Sequence, residues 1–128
     1  MLHDVRVLVA DDEPFIAFAI AAGIEDAHGE VIGPCASLEE IFDLLSGQPL
    51  PNAAILDLHL VDGEVTPAAE HLLDREVHVI LHSGLTLPSR LLDRLPTLVS
   101  CPKPTAPEML VRRLREMIDV RAKGSAPR

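Results

Sequence analysis

The sequence predicts an α/β protein: a doubly wound, five-stranded parallel sheet of order 2-1-3-4-5, sandwiched between two layers of helices. Three observations predict it. Short β-branched or apolar runs alternate with segments of helical character along the chain. The runs are apolar almost throughout, as strands covered on both faces require. Acidic, hydroxyl and amine side chains stand just beyond several of the runs, where open sheets of this kind bind their ligands.

Taken in order, the first strand is "VRVLVA" (5–10), and Pro14 opens a helix to Ala27, its missing N–H costing nothing in a first turn. "EVIGP" (30–34) is the second strand. Ser37 and Glu40 have capping-box spacing at the start of the second helix, Leu38 to Ser46. "AAILD" (53–57) is the third strand and Thr66 to Arg75 the third helix. "VHVIL" (77–81) is the fourth strand, followed by a weakly coded fourth helix, Pro88 to Asp93, hemmed in by prolines. "TLVS" (97–100) is the fifth strand. In the last helix, Pro107 to Val120, Met109, Leu110, Leu114, Met117 and Ile118 recur at helical spacing and make one apolar face, assigned to the core rather than to a dimer. Residues 1–122 form one domain, and 123–128 are expected to be a disordered tail.

Composition narrows the function. At 128 residues and 48% hydrophobic content the chain builds one core, from Leu, Ile, Val and Ala, because it has no Trp or Tyr and only three Phe. Stacking on bases or on a flavin ring is poorly supported. The net charge of -9 argues against DNA, since phosphate backbones are held by clustered Lys and Arg. No apolar run approaches the roughly 18 residues of a membrane span, and no secretory leader precedes the first strand, so the expected location is cytoplasmic. Cys35 and Cys101 lie far apart and are expected to be buried reduced thiols. His78 and His82 fall on one face of the fourth strand and are assigned to local polar packing, not to zinc.

The stretch "ADDEP" gathers Asp11, Asp12 and Glu13 at the end of the first strand. Asp57 ends the third strand, which lies beside the first, roughly 4.8 Å away. Two such charges about 4 Å apart repel by around 4 kcal/mol at an effective dielectric near 20. A hard divalent cation gives this gathering a reason, and Mg2+ suits a shallow, oxygen-lined rim. Ser83 follows the fourth strand and Lys103 the fifth. Glu13 is assigned to the helix macrodipole. The first loop is acidic where a phosphate cradle offers Gly, Ser or Thr, which disfavours a flavodoxin-type cofactor binder.

With acid pair, acid, hydroxyl and amine at the ends of strands one, three, four and five, the chain resembles a receiver domain of the bacterial response-regulator family, from about Val5 to Val120. The resemblance implies the flavodoxin/CheY-like fold, Asp57 as phosphoacceptor, Asp12 as a direct Mg2+ ligand and Asp11 as a ligand through water. It also implies coordination by the main-chain carbonyl of His59 and contacts from Ser83 and Lys103 to the phosphoryl oxygens. Relatives with this Lys-Pro step have a cis peptide there, so Lys103-Pro104 is expected to be cis. His59 and Leu85 occupy positions that tune phosphate loss in such proteins.

Two departures from the family pattern stand out. Ser100 replaces the usual aromatic residue three positions before the lysine, and the loop after Asp57 reaches Gly63 early. Gly63 and Glu64 resemble the ending of a subgroup of largely stand-alone receivers. The expected function is phosphoryl acceptance on Asp57 from a sensor histidine kinase or phosphotransfer protein, with signalling through contacts with a downstream protein target, as a monomer or weak homodimer. The expected role is that of a phosphoacceptor rather than a turnover enzyme. A non-phosphorylated pseudo-receiver and a Mg2+-dependent phosphatase with an aspartate nucleophile are the alternatives, the second disfavoured because Asp11-Asp12 is not Asp-x-Asp and the chain is too short for much of a cap.

Overall fold

The computed structural model describes residues 2–84, 87–94 and 97–124, with side chains through Asp119. Leu85 and the tail from 125 onward lie outside the described residues. The element order is β1 (Arg6–Ala10), α1 (Pro14–Asp26), β2 (Glu30–Cys35), α2 (Leu38–Ser46), β3 (Ala53–Leu56), β4 (His59–Leu60), β5 (Gly63–Glu64), α3 (Thr66–Asp74), β6 (His78–Ser83), α4 (Ser89–Leu92), β7 (Leu98–Pro102) and α5 (Pro107–Gly124). The main sheet runs β2-β1-β3-β6-β7, which is 2-1-3-4-5 among its own strands, and every pairing in it is parallel.

Alternation along these strands divides the core in two. Leu8, Ala10, Ala54, Leu56, Val79 and Leu81 face one side, where Ile41 of α2, Leu72 of α3 and Leu91 of α4 cover them. Val7, Val9, Ala53, Ile55 and Ile80 face the other, beneath Ile20 and Ile24 of α1 and Leu110 and Leu114 of α5. Each strand therefore has to be apolar at consecutive positions, which is why the runs stand out in the sequence. At roughly 25 cal/mol per Å2, a fully buried Leu or Ile is worth about 2 kcal/mol, so the two layers of aliphatic side chains hold the fold without aromatic help.

The local signals act as their chemistry dictates. Ser37 Oγ accepts from the Glu40 amide at 3.1 Å, while Glu40 Oε1 accepts from the Ala36 amide at 3.2 Å, one residue earlier than the reciprocal box requires. The apolar stripe of α5 is placed in the core through Leu110 and Leu114, although Met109 is half-exposed. The helix also runs four residues past Val120, to Gly124. The fourth helix is a single turn, Ser89–Leu92, starting one residue after Pro88. Cys35 is buried and free, its thiol pushed up to about 12 by burial and then by Glu40. Cys101 is free but only half-buried.

The β4–β5 hairpin is not foreshadowed in the sequence. Its two strands are two residues each, too short for any alternation to register, and they pair His59 with Glu64 and Leu60 with Gly63. Gly63 has φ +139°, a backbone region that side chains resist, so the hairpin needs glycine there.

Candidate functional site

The sheet register carries four of the predicted site residues to one rim. Ala10 pairs with Leu56, and the Asp57 amide donates to the Ala10 carbonyl at 2.8 Å, so the chain leaves β1 and β3 side by side and projects Asp11 and Asp57 together. Leu56 pairs with Leu81, placing Ser83 two residues further along the adjacent strand. Ser83 in turn pairs with Pro102, and the Lys103 amide donates to the Ser83 carbonyl at 3.1 Å. The Lys103-Pro104 peptide is cis.

Asp11, Asp57 and Ser83 are buried, whereas Asp12 is exposed. Carboxylate oxygens of Asp11, Asp12 and Asp57 all lie within 4.8 Å of one another. The Lys103 ammonium reaches into this group: its Nζ donates to Asp57 Oδ2 at 3.2 Å and stands 3.2 Å from Asp11 Oδ2. It also donates to Glu13 Oε2 at 3.3 Å. Glu13 is therefore more than a helix-end acid. It occupies the N-cap of α1 without capping it through its side chain, its amide donates to Asp11 Oδ1 at 2.9 Å, and its carboxylate is spent on Lys103. Nothing in the sequence separates that role from a dipole effect, since the partner lies 90 residues away.

The electrostatics follow from this crowding. Burial and then the Asp11 charge push the Asp57 carboxyl up from 3.8 to about 6, against the opposing pull of Lys103 and of the His59 amide. Burial disfavours the charged Lys103, but Asp57 and Asp11 more than offset it and its pKa ends above the ordinary lysine value. One cation thus serves three carboxylates, and Asp12 is a fourth acid without it. Asp11 Oδ2 is buried and has Lys103 Nζ at 3.2 Å as its ion-pair partner, without a well-aligned hydrogen bond among the described residues. A cluster of carboxylate oxygens carrying more negative charge than its one ammonium balances fits Mg2+, a hard cation that takes a few carboxylates and keeps several waters. The histidines offer no comparable site among the described residues.

His59 lies on β4 with an exposed side chain, and its amide donates to the Asp57 carboxylate. Beyond it the hairpin is tied on both sides. Asp62 accepts from the amides of Leu38 at 2.7 Å and Glu39 at 3.1 Å, capping α2 from a distance. Glu64 accepts from the Thr66 hydroxyl and pairs with Arg90 of α4 at 3.3 Å. On β6, His82 differs from the expectation of local polar packing: it is buried, and neither ring nitrogen has a hydrogen-bond partner among the described residues.

Sheet order and site together define a class: the chain has the fold of the CheY-like receiver domains of response regulators. Solved structures similar to it include a CheY-like receiver domain protein from Methanospirillum hungatei, 24% identical, with 98% of this chain and 100% of that one covered at a TM-score of 0.80. The receiver domain of the response regulator PhyR from Erythrobacter litoralis is 25% identical, with 90% and 89% covered at 0.74. PhyR from Brucella abortus is 25% identical over 97% of this chain and 54% of that one, at 0.70. No family model matches the chain, and no curated protein matches it. None of the helices described is long and apolar enough to cross a membrane.

Proposed function

We propose that the protein is a phosphoacceptor of a two-component pathway, taking a phosphoryl group onto Asp57 from a phosphohistidine and signalling through protein contacts. The observation that carries this reading is the Lys103 ammonium held 3.2 Å from Asp57 Oδ2 inside a cluster of three carboxylates, at the open rim of a receiver fold. An Asp57 oxygen attacks phosphorus, the P–N bond to the donor imidazole breaks, and the imidazole leaves with the bonding pair. The product is an acyl phosphate.

Each residue has a part in this. Burial leaves the Asp57 carboxylate poorly solvated, with Lys103 and the His59 amide orienting it. Lys103 is placed to neutralise charge on the phosphoryl oxygens, the largest service a protein renders to phosphoryl transfer. Ser83, buried beside Lys103, is placed to donate to the transferred group. Mg2+ held by Asp11, Asp12, Asp57 and the His59 carbonyl would supply further neutralisation of the phosphoryl oxygens. Glu13 steadies Lys103 in the resting site. The donor is a sensor histidine kinase or a phosphotransfer protein, and the target is a protein that reads the changed surface near α4 and β7. With Ser100 in place of an aromatic residue and α4 one turn long, that reading rests on loop and backbone movement, with the Glu64–Arg90 pair linking the acceptor loop to α4.

Phosphoramidate, whose P–N bond mimics phosphohistidine, tests the donor chemistry. Incubated with Mg2+, the protein should show a 31P resonance of an acyl phosphate that hydroxylamine removes. An absent signal, or one that persists in Asp57→Asn, would refute the assignment.

A further inference from the structure

The three carboxylates that share the Lys103 ammonium are not equivalent. Nζ stands 3.2 Å from Asp11 Oδ2 and from Asp57 Oδ2, and 3.3 Å from Glu13 Oε2. The Asp11 and Asp57 side chains are 1% and 10% exposed, whereas that of Glu13 is 60% exposed and can move outward. Asp11 and Asp57 belong, with Asp12, to the group whose carboxylate oxygens converge within 4.8 Å, and Glu13 does not. Glu13 is therefore the one partner of Lys103 that stands outside the cluster suited to a metal.

The backbone holds it in that place. Glu13 is the N-cap of α1, a position that favours Asp, Asn, Ser or Thr, whose short side chains reach the amides of the first turn. The longer Glu13 side chain makes no such bond and turns to Lys103, 90 residues away. Its amide donates to Asp11 Oδ1 at 2.9 Å and its carbonyl accepts from the Ala17 amide at 3.0 Å, which fixes the residue between the acid cluster and the helix.

Asp11 and Asp57 cannot give the same oxygens to an ammonium and to a dication, because the two cations would repel at close range. In taking Mg2+ they have to release Lys103. An ammonium left in this half-buried setting without a partner is costly, and one turned out into solvent is lost to the phosphoryl oxygens. Glu13 avoids both outcomes, since its carboxylate already accepts from Nζ and is free of the cluster that would take the metal.

We propose that Glu13 is a positioning residue for metal uptake, keeping the Lys103 ammonium at the rim while Asp11 and Asp57 change partner from Lys103 to Mg2+. This role rests on the Mg2+ assignment above. Reach matters in it as well as charge: Asp at position 13 would carry the same charge one methylene short of Lys103, and would suit the N-cap instead.

Mg2+ titrated into the full chain, followed through the backbone amide resonances of residues 57–59, reads the affinity without any phosphoryl transfer. Glu13→Gln and Glu13→Asp should each weaken binding by about fivefold, the upper range for a partly exposed ion pair. Lys103→Met should bind Mg2+ more tightly than the parent, the competing ammonium being gone. In that background the same two substitutions should change the affinity by less than about twofold, as a double-mutant cycle requires of a residue that acts through Lys103. Unchanged affinity in either Glu13 variant, equal losses in the two backgrounds, or no tightening in Lys103→Met would overturn the proposal while leaving the metal assignment intact. A parent chain that binds no Mg2+ would overturn that assignment and this role with it.

Discussion

Asp57 is held in a place that suits its conjugate acid better than its anion. Its carboxyl stands at about 6 in the folded chain against an ordinary 3.8, because burial and Asp11 outweigh Lys103. For an acid whose folded pKa is raised, the folded state keeps the proton longer than the unfolded state does. The favourable contribution is full below 3.8 and is lost as the pH climbs toward about 6. In chelator, Asp57→Asn should therefore be more stable than the parent at pH 7.5, on the order of 1 kcal/mol or a few degrees in thermal midpoint. The gain should vanish near pH 4. Calorimetry at the two pH values measures it, and a less stable variant at pH 7.5 would show that the Lys103 hydrogen bond outweighs the crowding. The same residue-scale logic shows why the acids were legible. Asp11, Asp12, Asp57, Ser83 and Lys103 are of types whose chemistry is specific and stand at strand ends that the apolar runs define. The surroundings of Glu13 and His82 were not legible, because the Lys103 partner of the one and the buried setting of the other, without a hydrogen bond among the described residues, depend on distant parts of the chain.

At the scale of elements, the β4–β5 hairpin links the acceptor to two helices. Asp62 caps α2 through two amides, and those bonds pull its carboxyl below the ordinary value despite its exposure. Asp62→Ala should lower the thermal midpoint and speed hydrogen exchange at the Leu38 and Glu39 amides, while leaving α5 unaffected. Because the Asp62 pKa is depressed, its contribution is present above the ordinary carboxylate value and lost on acidification, so the difference from the parent should shrink at low pH. Gly63→Ala tests the hairpin differently. A Cβ there would meet only Leu38 Cδ1 at 3.9 Å, so the cost is conformational, expected at about 1 kcal/mol or more in urea melts. A neutral result would mean that the loop relaxes to negative φ. The strands and long helices were readable because each is anchored by a buried face. The one-turn α4 was legible only as a weak segment between prolines, and the hairpin not at all, since two-residue strands carry no periodicity and Asp62 and Glu64 tie them across the fold.

The whole molecule is a sheet whose order brings the ends of β1, β3, β6 and β7 to one rim, and the order itself could be anticipated. Once strands and helices alternate and the strands are apolar on both faces, the parallel doubly wound arrangement is nearly forced, and adjacency of the first and third strands makes the acids neighbours. What the pattern of residues could not convey is the balance of charge at that rim, one ammonium shared among the carboxylates of Asp11, Glu13 and Asp57, with Asp12 a fourth acid beside them. That balance is the reason for assigning Mg2+ and phosphoryl chemistry to the site. The most direct test is the intact mass of the protein after incubation with acetyl phosphate and Mg2+, beside Asp57→Asn and a chelator control. The account predicts a gain of a single phosphoryl group that needs both Asp57 and Mg2+. A folded, Mg2+-binding protein that gains nothing, or gains the group equally without Asp57, would contradict it.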